Sequence, residues 1–154
     1  MKKICIALDY NPSAEKVAQT GYAYAKALGS ETILAHVVSD LAYYNLDYSP
    51  IMGYVYPINT KGINIAAEIS HVAENFLSAA AEHLGGKDIK TEVLTGKPDK
   101  IAETLLKFCE TNLIDLLVIG THSHNALENV LMGNSAVKVV RHTKIPLLVV
   151  PVKK

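Results

Sequence analysis

Residues 114–136 read IDLLVIGTHSHNALENVLMGNSA, and the first seven of them decide what kind of sheet the chain builds. A short, nearly unbroken apolar run such as Ile114 to Ile119 suits a strand buried on both faces, whereas a half-solvated strand alternates polar and apolar residues. Strands of that kind belong to parallel sheets covered by helices on each side. Gly120 ends the run, where the missing Cβ lets backbone or ligand approach closely. Gly133-Asn134-Ser135 then open a helix over about 134–142, whose first N–H groups lack partners and carry the positive end of the helix dipole. These features outline an anion cradle. Asn134 or Ser135 would serve equally well as a plain N-cap with no ligand.

The rest of the chain repeats the strand-then-helix rhythm. Ile4 to Leu8 is a first strand, followed by Asn11-Pro12 as a helix start and by Val17, Gly21, Ala25 and Leu28 as one helical face that Gly29 stops. Thr32 to Val38 is a second strand. Ile65, Ile69, Val72, Phe76 and Leu84 then mark a long helix ended by Gly85-Gly86. Ile89 to Leu94 alternates polar and apolar residues, as expected near a sheet edge. Gly96-Lys97-Pro98 opens a third helix with Ile101, Leu105 and Phe108 inward. Leu147 to Val152 closes the chain as a strand, and Pro151 within it demands an edge position because proline cannot donate to a ladder. An exposed apolar edge invites aggregation unless covered, and pairing with a second copy of Leu147–Val152 would cover it as a homodimer. The expected fold class is α/β, a five-stranded parallel sheet with helices on both faces.

The 154 residues, 49% hydrophobic and 19% charged, fit one domain spanning 1–154. Fifteen basic and fifteen acidic side chains cancel, so no charge footprint points to nucleic acid or to an anionic membrane. Cys5 and Cys109 lie in apolar runs and read as buried, reduced thiols. Reduced thiols suit a cytoplasmic location, and the start MKKICIALDYN, too short in apolar residues for a signal-peptide core, reads as that of a soluble, unexported protein. One segment breaks the rhythm: residues 40–62, DLAYYNLDYSPIMGYVYPINTKG, hold Tyr43, Tyr44, Tyr48, Tyr54 and Tyr56 in a connection far longer than usual. It reads as an insertion without assigned secondary structure, either a lid or dimer contact or a segment packed on its own helix layer.

Gly120-Thr121-His122-Ser123, nine further residues and Gly133-Asn134 resemble the G-x-x-G-x9-G-[ST] nucleotide signature of the universal stress protein family. The resemblance extends to Asp9 after the first strand, His36-Val37-Val38, Gly96-Lys97-Pro98 and the closing KVVRHTKIPLLVVP. It implies the strand order 3-2-1-4-5, a Rossmann-like sheet and, as is common in the family, a homodimer joined through the last strand; members fall into ATP-binding and non-binding groups, and the signature places this chain with those that bind ATP, ADP or AMP, with or without magnesium. Carried over, Ala7, Leu8 and Asp9 border adenine and ribose, and Val37 meets the adenine through its backbone. Ile119 and Gly120 lie beneath the ribose, His122 and Ser123 run along the phosphates, and Gly133, Asn134, Ser135 and Ala136 hold the distal phosphates. Two positions depart from the pattern: Ser123 replaces the second glycine, and Asn134 replaces Ser or Thr. A serine at a left-handed position costs about 1 kcal/mol, yet Ser123 and Asn134 both retain donors for phosphate.

Competing sites are weaker. His122-x-His124 lacks the Cys or carboxylate that would complete a metal site. Gly96-Lys97 does not close a P-loop, because Thr91 stands at the first glycine and Pro98 follows the lysine. No G-x-G-x-x-G or G-x-S-x-G occurs, and no catalytic pair or metal cluster is identified. Two functional classes result: an adenine-nucleotide-binding stress or signalling module with at most slow ATP hydrolysis, and a dimeric interaction protein that uses its Tyr-rich loop and binds no nucleotide.

Overall fold

The computed structural model describes residues 1–39, 50–54, 65–121 and 134–152, with side chains in the second helix described from Ile69 onward. The apolar runs form β1 (Lys3–Ala7), β2 (Glu31–Val38), β3 (Ile89–Thr95), β4 (Leu116–Gly120) and β5 (Leu147–Val150). They pair in parallel in the order 3-2-1-4-5. The helices are α1 (Ala14–Ala27), α2 (Ile65–His83), α3 (Ile101–Thr111) and α4 (Asn134–His142), and a single 3-10 turn, Pro98–Lys100, leads into α3. No helix among the described residues is long and apolar enough to cross a membrane.

Side chains alternate across each strand, so the sheet feeds two cores. Ile4, Ile6, Leu34, Phe76 and Leu77 pack on the side of α1 and α2, while Cys5, Ile33, Leu105, Cys109, Leu117 and Val139 pack on the side of α3 and α4. This double burial is why the central strands are apolar almost throughout. The alternation read in β3 marks an edge strand, whose exposed Lys90, Thr91 and Glu92 discourage further pairing. Cys5 and Cys109 are buried free thiols in the same core.

Local chemistry moved several expected boundaries. Helix α1 starts at Ala14 because the Asn11 side chain is used in a turn, accepting from the Ser13 N–H at 3.0 Å and the Ser13 hydroxyl at 2.9 Å. Leu28, expected on the inner helix face, is 49% exposed at the C-cap. Strand β4 begins at Leu116, since Ile114 packs beneath the end of α3 and donates its N–H to Cys109 O at 2.9 Å. Strand β5 ends at Val150, so Pro151 follows the strand instead of lying within it, and Lys16 Nζ donates to its carbonyl at 2.6 Å.

Part of the Tyr-rich segment is core. Ile51 and Tyr54 exchange main-chain hydrogen bonds of 3.0 and 2.9 Å across a two-residue turn, with Met52 at φ 48° and Gly53 at φ 77°. Ile51 and Met52 are buried among the α1 and α2 contacts, and the Tyr54 ring meets Tyr10 and Phe76 edge-on at 6.0 and 6.1 Å between centroids. Tyr43, Tyr44, Tyr48 and Tyr56 lie outside the described residues.

Two substitutions test this packing. Helix α1 crosses the sheet so closely that a Cβ on Gly21 would lie 2.8 Å from Ile6 Cδ1 and 3.2 Å from Val118 Cγ1. Gly21→Val should therefore lower unfolding free energy by about 1–3 kcal/mol in urea titrations. Leu113 ends α3 at φ 54° and 78% exposure, in the role that Gly29 takes after α1. Leu113→Gly should raise stability by about 1 kcal/mol by removing that left-handed strain.

Candidate functional site

Strand order reverses at β1, whose neighbours β2 and β4 lead the chain in opposite directions and leave a crevice at their carboxyl ends. Ala7 ends β1 and Gly120 ends β4, and the pairing of Ile6 with Val118 sets these two ends side by side. On the α3/α4 face, Cys5, Ile33 and Ala35 are covered, but Ala7, Val37 and Leu94 one step further along are only partly buried. Val37 pairs with Leu94 across β2 and β3. The apolar face is thus open at its carboxyl end across three adjacent strands.

Ile119 and Ala136 belong to that same core, which holds the first turn of α4 against the end of β4. Asn134 is exposed, Ser135 half-buried and Ala136 buried, and the opening N–H groups of the helix have no intrahelical acceptors. Ala7, Val37, Ile119 and Ala136 are therefore brought together on one face. Leu8 points the other way, into the α1/α2 core, and its main chain is already engaged: its N–H donates to Ala35 O at 2.8 Å and its carbonyl accepts from His36 at 2.7 Å. Asp9 is half-buried, with its carbonyl accepting the Asn11 N–H at 2.9 Å. His122, Ser123 and Gly133 lie outside the described residues. Among the described residues, no three His, Cys, Asp or Glu side chains converge on a metal position.

Sequence reasoning passed over three contributors. Tyr10, next to Asp9, stacks edge-on to Phe76 at 5.0 Å and braces the loop after β1. Thr121 donates its N–H to Val150 O at 3.1 Å and accepts the Val152 N–H on its hydroxyl at 3.0 Å, joining the loop after β4 to the chain beyond β5. Both contacts depend on pairings distant in sequence. His36 carried a usable signal, since a histidine inside an apolar strand must find a hydrogen-bond partner.

Residues 1–151 match the Universal stress protein family. Universal stress protein MJ0531 of Methanocaldococcus jannaschii is 31% identical over 150 residues, which cover 97% of this chain and 81% of the relative. A crystal structure of a universal stress protein in complex with cAMP superimposes with a TM-score of 0.65 at 18% identity, covering 99% of this chain and 98% of the other. The universal stress protein of Archaeoglobus fulgidus in complex with dAMP gives 0.60 at 14% identity, covering 97% of both chains. At these identities the structural likenesses establish the fold.

Burial gives His36 a pH-dependent contribution to the stability of the fold. Its partner carbonyl only accepts, so Nδ1 carries the proton and ties β2 to the end of β1. Burial lowers its pKa, against the opposing pull of the Leu8 carbonyl and the Asp9 charge. A histidine whose folded pKa is depressed binds protons more readily when unfolded, so its contribution is intact above roughly pH 6.5 and is lost as pH falls below that value. Urea midpoints should accordingly fall between pH 8 and pH 5, with a shallower slope in His36→Phe; parallel slopes would remove His36 as the cause.

Proposed function

Because the chain belongs to the universal stress protein family, we propose that it is a nucleotide-responsive stress or signalling module that binds ATP, ADP or AMP at the β1/β4 crevice. The observation that carries this reading is the open end of the α3/α4 core. Ala7, Val37 and Leu94 leave an apolar surface for a flat base beside the start of α4, whose first N–H groups have no intrahelical acceptors. The cAMP and dAMP complexes of relatives support an adenine ligand.

In this reading the base lies against Ala7 and the Val37 backbone, with Asp9 toward the ribose and Leu8 supporting the strand end from behind. Ile119 and Gly120 lie under the sugar. His122 and Ser123 follow the phosphates to Gly133, Asn134, Ser135 and Ala136. Magnesium, entering with a triphosphate, would be held chiefly by phosphate oxygens, because Asp9 is a single carboxylate at the strand end. Hydrolysis is slow at most, since no general base is assigned. The module works in the cytoplasm as one domain and self-associates through β5.

Calorimetric titration with ATP, ADP and AMP, alongside thermal melts, tests the reading. Free ATP at a hundred times Kd should stabilise the fold by about 2.7 kcal/mol. Gly133→Asp should weaken binding at least tenfold by placing a carboxylate among the phosphates, while the ligand-free melting temperature stays within a few degrees. The absence of any heat or shift at millimolar nucleotide would favour a dimeric interaction protein contacting partners through residues 40–62.

A further inference from the structure

The register of β4 and β5 dictates how Thr121 should bond. Leu117 stands opposite Leu147 and Gly120 opposite Val150, so Thr121, one step on, stands opposite Pro151. In a parallel ladder such a residue donates its N–H to the carbonyl before its partner and accepts, on its own carbonyl, the N–H after it. Leu117 N–H donates to Pro146 O at 3.0 Å in this way, and Thr121 N–H donates to Val150 O at 3.1 Å. The return bond departs from the pattern. Val152 N–H donates at 3.0 Å to the Thr121 hydroxyl, Oγ1, where a continued ladder would use the Thr121 carbonyl. A side chain therefore makes the last rung of the sheet, and the main chain can turn out of the sheet at Thr121 without losing its anchor.

The donor end of that rung is held in turn. Val152 packs against the α1/α2 core, and the Pro151 carbonyl accepts Lys16 Nζ from α1 at 2.6 Å. Proline fixes its own φ, so the chain reaching Val152 has little freedom. Thr121 is half-buried, which limits the water that could compete for its hydroxyl.

From this exchange of side chain for main chain we propose that Thr121 is a positioning residue for nucleotide binding: its hydroxyl, anchored on Val152, sets the direction in which the signature loop leaves Gly120. The inference rests on the nucleotide reading above and adds to it a residue that acts through the main chain. In that reading Gly120 lies beneath the sugar, and the loop beyond Thr121 carries the phosphate end. The anchor needs a side-chain acceptor one bond from Cβ. Serine keeps that acceptor, whereas valine keeps the shape of threonine and lacks it. The rung should therefore matter for phosphates and be neutral for the base.

Titration of ATP and of adenosine against three single variants and one double variant tests this role. Thr121→Val should weaken ATP binding roughly three- to tenfold, the worth of one hydrogen bond, with adenosine affinity unchanged, and Thr121→Ser should restore ATP binding to within about twofold. Val152→Pro removes the donor from the other end and should weaken ATP binding by a similar factor. The variant carrying both Thr121→Val and Val152→Pro should bind no more weakly than either alone, because both remove one bond. Equal losses for adenosine and ATP, or additive losses in the double variant, overturn the positioning role. Without ligand, amide exchange at Val152 should speed up roughly tenfold in Thr121→Val and stay slow in Thr121→Ser; unchanged exchange in Thr121→Val overturns the anchor. Linkage requires ATP to slow the same amide in the unsubstituted chain. Unchanged ATP affinity in Thr121→Val, in a chain that binds ATP, overturns this role alone, whereas an unsubstituted chain that binds no nucleotide overturns the proposed function and this role together.

Discussion

The structure hangs on the central position of β1. Lys3–Ala7 is bonded to β2 on one side and β4 on the other, and its interior residues Ile4, Cys5 and Ile6 are fully covered from both faces. A strand so enclosed leaves no room for polar side chains, and it requires a helix that can lie almost on the sheet, which is why α1 carries a glycine over Ile6 and Val118. The same placement produces the crevice: a chain that winds outward from β1 in both directions must open a gap where the two windings diverge. Core packing and ligand geometry are thus consequences of one topological fact.

What distinguishes the two ends of the sheet is how completely its cores are finished. At the amino ends, Asp115 Oδ2 accepts the N–H groups of Lys2 and Lys3 at 2.7 and 2.8 Å, stitching β4 to β1. At the carboxyl ends, the α1/α2 side is filled by Tyr10, Tyr54 and Phe76, with His36 edge-on to Phe76 at 6.0 Å. The α3/α4 side is left partly uncovered. A fold that closes one face with an aromatic cluster and leaves the other open has a defined side for a ligand, and the rigid face supports the open one.

Much of the fold was legible because strands buried on both faces announce themselves as apolar runs. Strand order was another matter: periodicity cannot rank strands, and 3-2-1-4-5 came through the family resemblance alone. The boundaries that moved did so where a side chain had two possible uses. Asn11 looked like a helix cap but closes a turn, and Ile114 looked like strand but packs under a helix end. Ile51–Tyr54 was unreadable because its burial depends on Tyr10 and Phe76, which are brought to it only by the completed fold. Of the candidate site, Ala7, Val37 and Ile119 were named through the family resemblance alone, and their packing in one apolar core became visible only in the structure. The Thr121 and His36 contacts were not legible, since each pairs with main chain whose position depends on strand register.

The Thr121 hydroxyl gives the two ends of the polypeptide unequal standing for protein engineering. Val152 is bonded to the residue that begins the signature loop, so a fluorescent reporter or affinity tag attached beyond it would pull directly on that loop. Met1 sits at the far end of the sheet, where its carbonyl accepts from Ser30 at 3.1 Å. Cargo fused there is separated from the crevice by the full length of β1.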